Sequence, residues 1–156
     1  MLQFMRPVLF SAFVCIAVVS QGADWPQFRH DAGRTAASPG SLPAKLHLQW
    51  VRQMPAPRPA FPGEVRLAFD AGYEPVVMGK RMFVGSMVSD SVAALETDTG
   101  KVLWEFFTDG PVRFAPVAWQ EKVYAASDDG FIYCLQAKTG ALVWKFSGLP
   151  KSNSDR

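Results

Sequence analysis

Residues 99–106 read "TGKVLWEF", and residues 139–146 read "TGALVWKF". A Thr-Gly turn, a tryptophan four residues beyond the glycine and a phenylalanine two residues later therefore return after 40 positions. The similarity extends outward from these two stretches, because residues 75–106 can be aligned with residues 116–146. A period of this size indicates a repeat architecture, in which each copy is one supersecondary unit that packs against its neighbour.

Eight residues carry the repeat. They are Thr99, Gly100, Trp104 and Phe106 in the first copy, and Thr139, Gly140, Trp144 and Phe146 in the second. Packing between copies explains an aromatic residue that recurs with the repeat, whereas a cofactor platform needs only one such residue. We therefore interpret these residues as structural positions of the repeat and not as catalytic or metal-binding positions.

Each copy predicts four short strands, rich in aromatic and β-branched residues and separated by turn residues. In the second copy the predicted strands are 115–119, 122–126, 131–136 and 141–146. The Asp128-Asp129-Gly130 stretch is typical of a hairpin turn, in which the glycine accepts a positive φ. Four strands in about 40 residues is the size of one propeller blade.

The two copies differ in length by one residue. Upstream of Met87 equivalent residues lie 41 positions apart, whereas from Leu95 onward they lie 40 apart, so the first copy carries one extra residue between Met87 and Ser91. A shift of one residue inside a strand would turn every side chain to the opposite face of the sheet. The extra residue is therefore predicted to lie in a turn.

The Thr-Gly turn and its tryptophan, following the run "VYAASDDGFIYCL" at 123–135, resemble the pyrroloquinoline-quinone (PQQ) type repeat of quinoprotein-like β-propellers. In that family the tryptophan of one blade packs against the next blade. The resemblance covers about 64–148, and "DWPQFRHDAGRT" at 24–35 resembles the leading segment of secreted propellers of this kind. Glu96 and Gln136 depart from the family pattern, which usually has aspartate three residues before the turn threonine.

The resemblance implies an all-β fold: a partial β-propeller of two four-stranded antiparallel blades plus a leading strand. About three repeats are needed before such a stack is stable alone, because each blade hides its apolar faces against neighbours. We therefore expect a truncated fragment, the front of a longer propeller. The alternative is a half-propeller that closes by self-association through its exposed blade edges.

The repeats divide the chain into four parts. Residues 1–22 are interpreted as a signal peptide, 23–63 as a leading segment, 64–148 as the two propeller repeats, and 149–156 as a tail that leaves the repeat pattern. Within the leading segment, Leu46, Leu48 and Trp50 alternate as on one face of a strand. The stretch "PAPRPAFP" at 55–62 then predicts a semi-rigid connector, because proline lacks the backbone donor that a sheet requires.

The first 22 residues follow the pattern of an export signal, with Arg6 before an apolar stretch at 8–19 and small residues at 20–23. An uncleaved anchor is the alternative, but about 20 apolar residues are needed to span a bilayer. We expect an exported protein of the periplasm or cell envelope, with no transmembrane helix in the mature chain. Loss of Cys15 with the signal would leave Cys134 unable to form an internal disulfide.

Composition excludes one class of partner. The formal net charge of +2 is spread over interleaved acids and bases, so no basic block is available to neutralise phosphates, and we expect no nucleic-acid binding. Arg29, Asp31 and Arg34 are predicted to form a surface ion network or to contact a ligand at the mouth of the propeller.

Other residues with binding chemistry have structural explanations. Asp128 and Asp129 precede a glycine and are typical of a turn, and Cys134 is expected to be a buried small residue. The methionines Met78, Met82 and Met87 lie in or beside apolar strands, and the histidines His30 and His47 lie on separate segments. The sequence therefore predicts no metal site and no catalytic group.

Two functions follow from the resemblance. The first is a binding or assembly scaffold in the cell envelope, whose partners are the remaining blades or another envelope protein, with no cofactor in this chain and no catalysis by it. The second is a fragment of a PQQ-dependent alcohol or sugar dehydrogenase, which would use the quinone and calcium. Fold analogy alone does not decide between these alternatives.

Overall fold

The computed structural model describes residues 23–148, so the predicted signal peptide and the tail at 149–156 lie outside the described residues. Two four-stranded antiparallel sheets and one short 3-10 helix at Val65–Leu67 make up the regular structure of this part of the chain. The all-β fold and the two four-stranded blades are therefore confirmed. Within residues 23–148, no helix has the length and apolar character required to cross a membrane.

Each sheet is a meander in which consecutive strands pair. Blade 1 contains β1 (Val76–Met78), β2 (Arg81–Ser86), β3 (Ser91–Glu96) and β4 (Val102–Phe107). Blade 2 contains β5 (Val117–Trp119), β6 (Lys122–Ala126), β7 (Phe131–Gln136) and β8 (Leu142–Ser147). The strands predicted in the second copy agree with β5 to β8 to within two residues at each end.

The two blades share their register and its irregularity. A bulge interrupts the pairing after Ala94 in β3 and after Cys134 in β7, and the repeat tryptophans lie opposite these two residues. In blade 1, Ser86 pairs with Ser91 and leaves four residues in the turn; in blade 2, the Ser127 amide donates to Phe131 and leaves three. The extra residue of the first copy lies in the turn between β2 and β3, as the spacing predicts.

The hydrophobic core lies between the blades, which approach each other at β1 and β5. Its fully buried side chains come from both sheets and include Val76, Phe83, Val92 and Ala94 of blade 1, and Val123 and Leu135 of blade 2. Trp104 and Phe106 of β4 pack against this cluster from its edge. A blade therefore buries its apolar face only where another blade covers it.

The leading segment joins the inner strands of both blades. The Trp25 amide donates to the Val77 carbonyl at 2.9 Å, and the Val77 amide donates to the Trp25 carbonyl at 2.7 Å. The next carbonyl, that of Pro26, accepts from the Ala118 amide at 2.7 Å. Since Val77 lies in β1 and Ala118 in β5, this segment connects the two blades where they converge.

The leading strand predicted at 46–50 is wrong. These described residues form no ladder: Leu46 and Leu48 are exposed, and only Trp50 lies against blade 1. A strand requires a backbone partner, whereas this segment contacts the turn after β3 through its side chains, with Gln49 Nε2 donating to the Asp98 carbonyl at 3.0 Å. The proline-rich stretch at 55–62 also lacks ladder pairing, in agreement with the prediction for it.

Candidate functional site

The tryptophan of blade 1 is seated on the Thr-Gly turn of blade 2. The ring of Trp104 covers Gly140 so closely that an added Cβ at this glycine would lie 2.6 Å from two ring atoms. Gly140 also has φ +72°, a backbone conformation that residues with a side chain disfavour. The position therefore requires glycine both for its backbone conformation and for the space that the ring occupies. The indole Nε1 of Trp104 donates to the Ala137 carbonyl at 3.0 Å, three residues before the glycine.

A second tryptophan makes the same contact one blade earlier. Trp50 covers Gly100, where an added Cβ would lie 2.8 Å from its ring, and φ of this glycine is +69°. Its Nε1 donates to the Thr97 carbonyl at 2.8 Å, again three residues before the glycine. The stretch 48–53 therefore occupies, relative to blade 1, the place that β4 occupies relative to blade 2.

The sequence analysis missed this role of Trp50, although a signal was available. Leu48 precedes Trp50 by two residues, as Leu142 precedes Trp144 and Val102 precedes Trp104. No Thr-Gly turn precedes Trp50 in the sequence, so an alignment anchored on the turn does not reach it.

The outward face of blade 2 repeats the contact face of blade 1 residue by residue. On blade 1 the face that packs against blade 2 carries Phe83, Val92, Ala94, Trp104 and Phe106; the equivalent positions on blade 2 are Tyr124, Ile132, Cys134, Trp144 and Phe146. The side chain of Trp144 is 44% exposed and that of Phe146 is 62% exposed. Trp144 contacts Tyr124 at 6.0 Å between ring centroids, and no described residue provides a turn that covers it. Cys134 is fully buried, and the other four are at least partly exposed; we call these five positions of blade 2 the docking face.

The threonines of the repeat stabilise the turns from within. The hydroxyl of Thr99 accepts from the Lys101 amide and donates to a carboxylate oxygen of Glu96 at 2.6 Å. Thr139 accepts from the Ala141 amide in the same way, at 3.3 Å. At the first departure from the family pattern, the carboxylate of Glu96 therefore still contacts the turn, through a hydroxyl.

The adjacent aspartates of blade 2 lie in the turn before β7, and each has structural partners. Asp128 pairs with Arg113, whose guanidinium also donates to the fully buried Asp70 at 2.7 Å. Asp129 accepts from the Phe131 amide at 2.9 Å and from the Tyr133 hydroxyl at 2.6 Å. These contacts place both carboxylates in the junction between the blades.

These contacts also shift the pKa values of the partners. Burial alone raises the pKa of Asp129, but the hydrogen bond from Tyr133 and those from backbone amides outweigh it and lower the pKa below 3.8. Burial, followed by the bond to Asp129, raises the pKa of Tyr133 to about 12. At neutral pH the pair is therefore a phenol that donates to a carboxylate.

Acid is expected to weaken this pair. Because the folded pKa of Asp129 lies below 3.8, its stabilising effect is complete above pH 3.8 and is lost as the pH falls through the folded pKa. We expect Tyr133→Phe to reduce the free energy of unfolding by about 1–2 kcal/mol at pH 7. The difference in the free energy of unfolding between this variant and wild type should become smaller below the folded pKa of Asp129. Urea denaturation at pH 7 and at a pH below that pKa measures the change.

Tyr124→Phe is the matched control, since the Tyr124 hydroxyl makes no hydrogen bond within the described part of the chain. This variant should remain within about 0.5 kcal/mol of wild type at both pH values. An equal destabilisation by Tyr133→Phe at neutral and acid pH would show that the phenol does not act through the Asp129 carboxylate.

A cleft of about 750 Å³ opens between the leading segment and the loops that precede β1 and β5. Residues that give it chemical character are Phe28, Asp31, Arg34, Phe69, Glu74 and Phe114. The rings of Phe69 and Phe114 stack at 5.5 Å with an interplanar angle of 16°. Clefts that combine aromatic walls with a few polar groups are the usual form of a binding site.

The ion network predicted for Arg29, Asp31 and Arg34 does not form. Among residues 23–148, the Asp31 carboxylate lies 3.6 Å from His30 Nδ1 and accepts from the Thr35 amide and hydroxyl. The two guanidinium groups lie over the ring of Phe28 instead, 5.7 and 5.8 Å from its centroid. Asp31 and Arg34 line the cleft. Contact of these two residues with a ligand, the alternative expectation, remains a prediction.

The remaining candidate residues lie in structural positions. Met87 and Cys134 are buried, Met78 packs against the core, and His30 contacts Trp25 edge to face at 5.2 Å. Within the described residues, no three His, Cys, Asp or Glu side chains come close enough together to hold a metal ion.

Comparison with known proteins adds three findings. The family model for outer membrane protein assembly factor BamB, which consists of PQQ-like repeats, matches residues 32–154. The dehydrogenase subunit of alcohol dehydrogenase (quinone) from Gluconobacter oxydans (strain 621H) is 36% identical over 69 residues, covering 37% of this chain and 9% of that protein. The structure of quinohemoprotein alcohol dehydrogenase from Comamonas testosteroni is 23% identical, with a TM-score of 0.55 over 82% of this chain and 20% of that one.

BamB from Moraxella catarrhalis is also similar, at 25% identity over 44% of this chain and 21% of that chain, with a TM-score of 0.41. The chain thus spans 9% of its curated relative and about a fifth of each of these two solved structures. The Comamonas structure supports the propeller fold.

Proposed function

This chain belongs to the PQQ-like repeat family described as outer membrane protein assembly factor BamB, and from that premise we propose that it acts as a binding or assembly scaffold in the cell envelope. One observation carries the proposal. The docking face of blade 2 repeats the five side-chain positions through which blade 1 contacts blade 2, yet Trp144 and Phe146 on it are largely exposed. Exposed apolar patches of this kind mark interaction sites.

The partner of this face is a further blade of the same kind. Trp50 and Trp104 each cover a glycine with φ near +70° and donate to the carbonyl three residues before it. Trp144 is suited to the same contact with a third Thr-Gly turn. Burying a tryptophan removes about 150–250 Å² from water, worth at most about 4–6 kcal/mol, so the gain from docking is substantial.

A second copy of this chain is a poor partner as it stands, because its own Gly100 turn is already covered by Trp50. The Gly140 turn is likewise covered by Trp104. Both turns within the described residues are therefore occupied. This argues against closure of a half-propeller by simple stacking of copies and in favour of further blades with an open turn.

The occupied turn permits a direct test of the docking face. Gln49→Ala combined with Trp50→Ala removes two of the three side-chain hydrogen bonds that hold the leading segment on the turn at 97–100, and leaves the longest, from Arg52 Nη1 to the Gly100 carbonyl at 3.4 Å. We expect this double variant to self-associate at about 0.1–1 mM, since the open turn can accept Trp144 of another copy. Sedimentation velocity over a concentration series measures the effect against the wild-type chain.

Adding Trp144→Ala to the double variant should return its association to the wild-type level. Adding Phe61→Ala instead should not, because Phe61 is an exposed aromatic residue of the proline-rich stretch, outside both sheets. If association persists without Trp144, or disappears equally with Phe61→Ala, the docking face is not the binding surface.

The second candidate function is part of a quinone-dependent dehydrogenase, which the match to the Gluconobacter subunit favours. This chain spans 9% of that subunit, so no catalytic step is assigned to these residues. Incubation of the chain with PQQ, calcium, an electron acceptor and a panel of alcohols and sugars tests this alternative. A saturable, calcium-dependent rate would favour the dehydrogenase over the scaffold.

A further inference from the structure

The cleft beside the leading segment meets the docking side of blade 2 at Val117 but has its own chemistry. Its aromatic wall continues beyond the stacked pair, since the ring of Phe61 meets that of Phe69 at 6.4 Å and 66°. Phe69 and Phe114 are about half exposed, and Phe28 is 40% exposed. Several phenyl rings in one concave surface therefore remain accessible to solvent, which is unusual for side chains that serve only as core.

Packing between blades does not explain this cleft. The blade contacts in this chain run through the tryptophan-bearing face of β4, and the docking face continues that arrangement on blade 2. The cleft is instead lined by the leading segment and by the connections into β1 and β5, the first strands of the blades. A blade added at Trp144 would border the cleft at Val117, which lies opposite Tyr124, but the phenyl wall of Phe69 and Phe114 lies outside both sheets and is left for another occupant.

A buried ion pair holds the aromatic wall in place. Asp70 follows Phe69 in the sequence, and Arg113 precedes Phe114. Arg113 Nη1 donates to Asp70 Oδ2 at 2.7 Å, so this ion pair joins the two residues that adjoin the stacked rings. The same carboxylate oxygen accepts from the Ala60 amide at 2.7 Å. The ring stack and the ion pair therefore link the loop that carries Phe69 and Asp70 to the loop that carries Arg113 and Phe114. These two links preorganise the rings for a ligand.

The opposite wall is a tightly turned loop. Arg29, His30, Arg34 and Ala36 all have φ between 54° and 78°, a conformation that side chains disfavour. Backbone strain of this kind clusters at ligand-binding segments, where the surrounding structure maintains it. The loop presents Phe28 and Asp31 to the cleft while Arg34 lies over the phenyl ring.

The charges of the cleft favour a cation. Two carboxylates, Asp31 and Glu74, line it together with one guanidinium, that of Arg34. The guanidinium is engaged by the Phe28 ring, and Glu74 makes no ion pair with any residue between 23 and 148. A ligand with an aromatic group for the phenyl wall and a positive charge for Glu74 would be complementary to both.

We propose that this cleft binds a segment of a partner protein that presents an aromatic side chain next to a lysine or arginine. The aromatic side chain packs on Phe69 and Phe114, and the adjacent cation pairs with Glu74. The proposal goes beyond the scaffold function, because it adds a second binding surface and names the chemistry of what it recognises.

Dipeptide probes test the proposal on the full chain. We expect acetyl-Lys-Trp-amide to bind with a dissociation constant of about 0.1–1 mM, followed by NMR shifts of the isotope-labelled protein. Acetyl-Glu-Trp-amide and acetyl-Lys-Ala-amide should bind at least about fivefold more weakly, because each lacks one of the two recognised groups. Equal binding of the three probes, or no binding of the first, would overturn the proposal.

Variants then locate the site. Glu74→Gln keeps the shape of the side chain and should weaken the Lys-Trp probe about three- to fivefold at low salt, with no effect on the Glu-Trp probe. Phe114→Ala should weaken both tryptophan probes about tenfold, whereas Phe107→Ala, an exposed phenylalanine on β4, should weaken neither. Loss of affinity in Phe107→Ala, or none in Glu74→Gln, would place the probe elsewhere. The association of the Gln49→Ala/Trp50→Ala variant concerns the docking face alone, so the two proposals fail independently.

Discussion

Gly140→Ala is expected to destabilise the chain by about 2–5 kcal/mol, although it adds a single methyl group. The new Cβ would lie 2.6 Å from ring atoms of Trp104, and the backbone at this position has φ +72°. The left-handed conformation alone costs about 1–2 kcal/mol for a residue with a side chain. Displacement of the Trp104 ring from the turn adds the cost of an overpacked contact, about 1–3 kcal/mol.

Gly79→Ala separates these two effects. Gly79 also has a left-handed backbone, with φ +59°, but an added Cβ at this position meets nothing within 4 Å. This variant should lose only the backbone contribution, about 1–2 kcal/mol. Urea denaturation of both variants measures the difference, which is the cost of moving Trp104. Equal losses at the two glycines would show that the ring does not constrain the turn.

The second large effect is expected for Trp104→Ala, at about 3–5 kcal/mol. This side chain packs against the core at the junction between the blades, contacts Phe83 at 5.9 Å between ring centroids and donates to the Ala137 carbonyl. Removing it opens a cavity and leaves that carbonyl without its partner. Chemical denaturation of the purified chain measures the loss.

Trp144→Ala is the matched comparison for Trp104→Ala. Trp144 occupies the same position in blade 2 but is 44% exposed, so its replacement should cost at most about 1–2 kcal/mol in the isolated chain. If Trp144→Ala proved the costlier change, Trp144 would have to be covered within the chain, and the docking face would not be free.

The effects of Gly140→Ala and Trp104→Ala on the free energy of unfolding should also be coupled. The methyl group added by Gly140→Ala clashes with the Trp104 ring, and this clash exists only while the ring is present. In the Trp104→Ala background Gly140→Ala should therefore cost only its backbone strain, and a double-mutant cycle should show an interaction of about 1–3 kcal/mol. Additive losses would mean that the ring and the turn are independent.

These contacts connect stability with assembly. Trp50 of the leading segment covers the turn of blade 1, and Trp104 of blade 1 covers the turn of blade 2. The interaction that holds the two blades together is thus the interaction that we propose for the docking face and its partner.

Local sequence was sufficient for the blades themselves. The strands of the second copy, the turn at 128–130 and the position of the extra residue between β2 and β3 all followed from alternation, turn residues and the spacing of the repeat. These features depend on residues within a few positions of each other, so the sequence by itself determined them. It also indicated the all-β fold and the family, since both follow from the period of 40 and from the Thr-Gly turn with its tryptophan.

Only the tertiary structure decided how the leading segment is used. Alternation at 46–50 predicted a strand, but a strand also needs a partner, and that partner is not encoded in the segment itself. Instead, Trp50 contacts a turn 50 residues later, and the backbone of Trp25 and Pro26 joins two strands that are about 40 residues apart. The cleft and the buried pair of Asp70 and Arg113 arise for the same reason. Contacts between distant parts of the chain depend on how the two blades converge, and no local pattern of residues specifies that convergence.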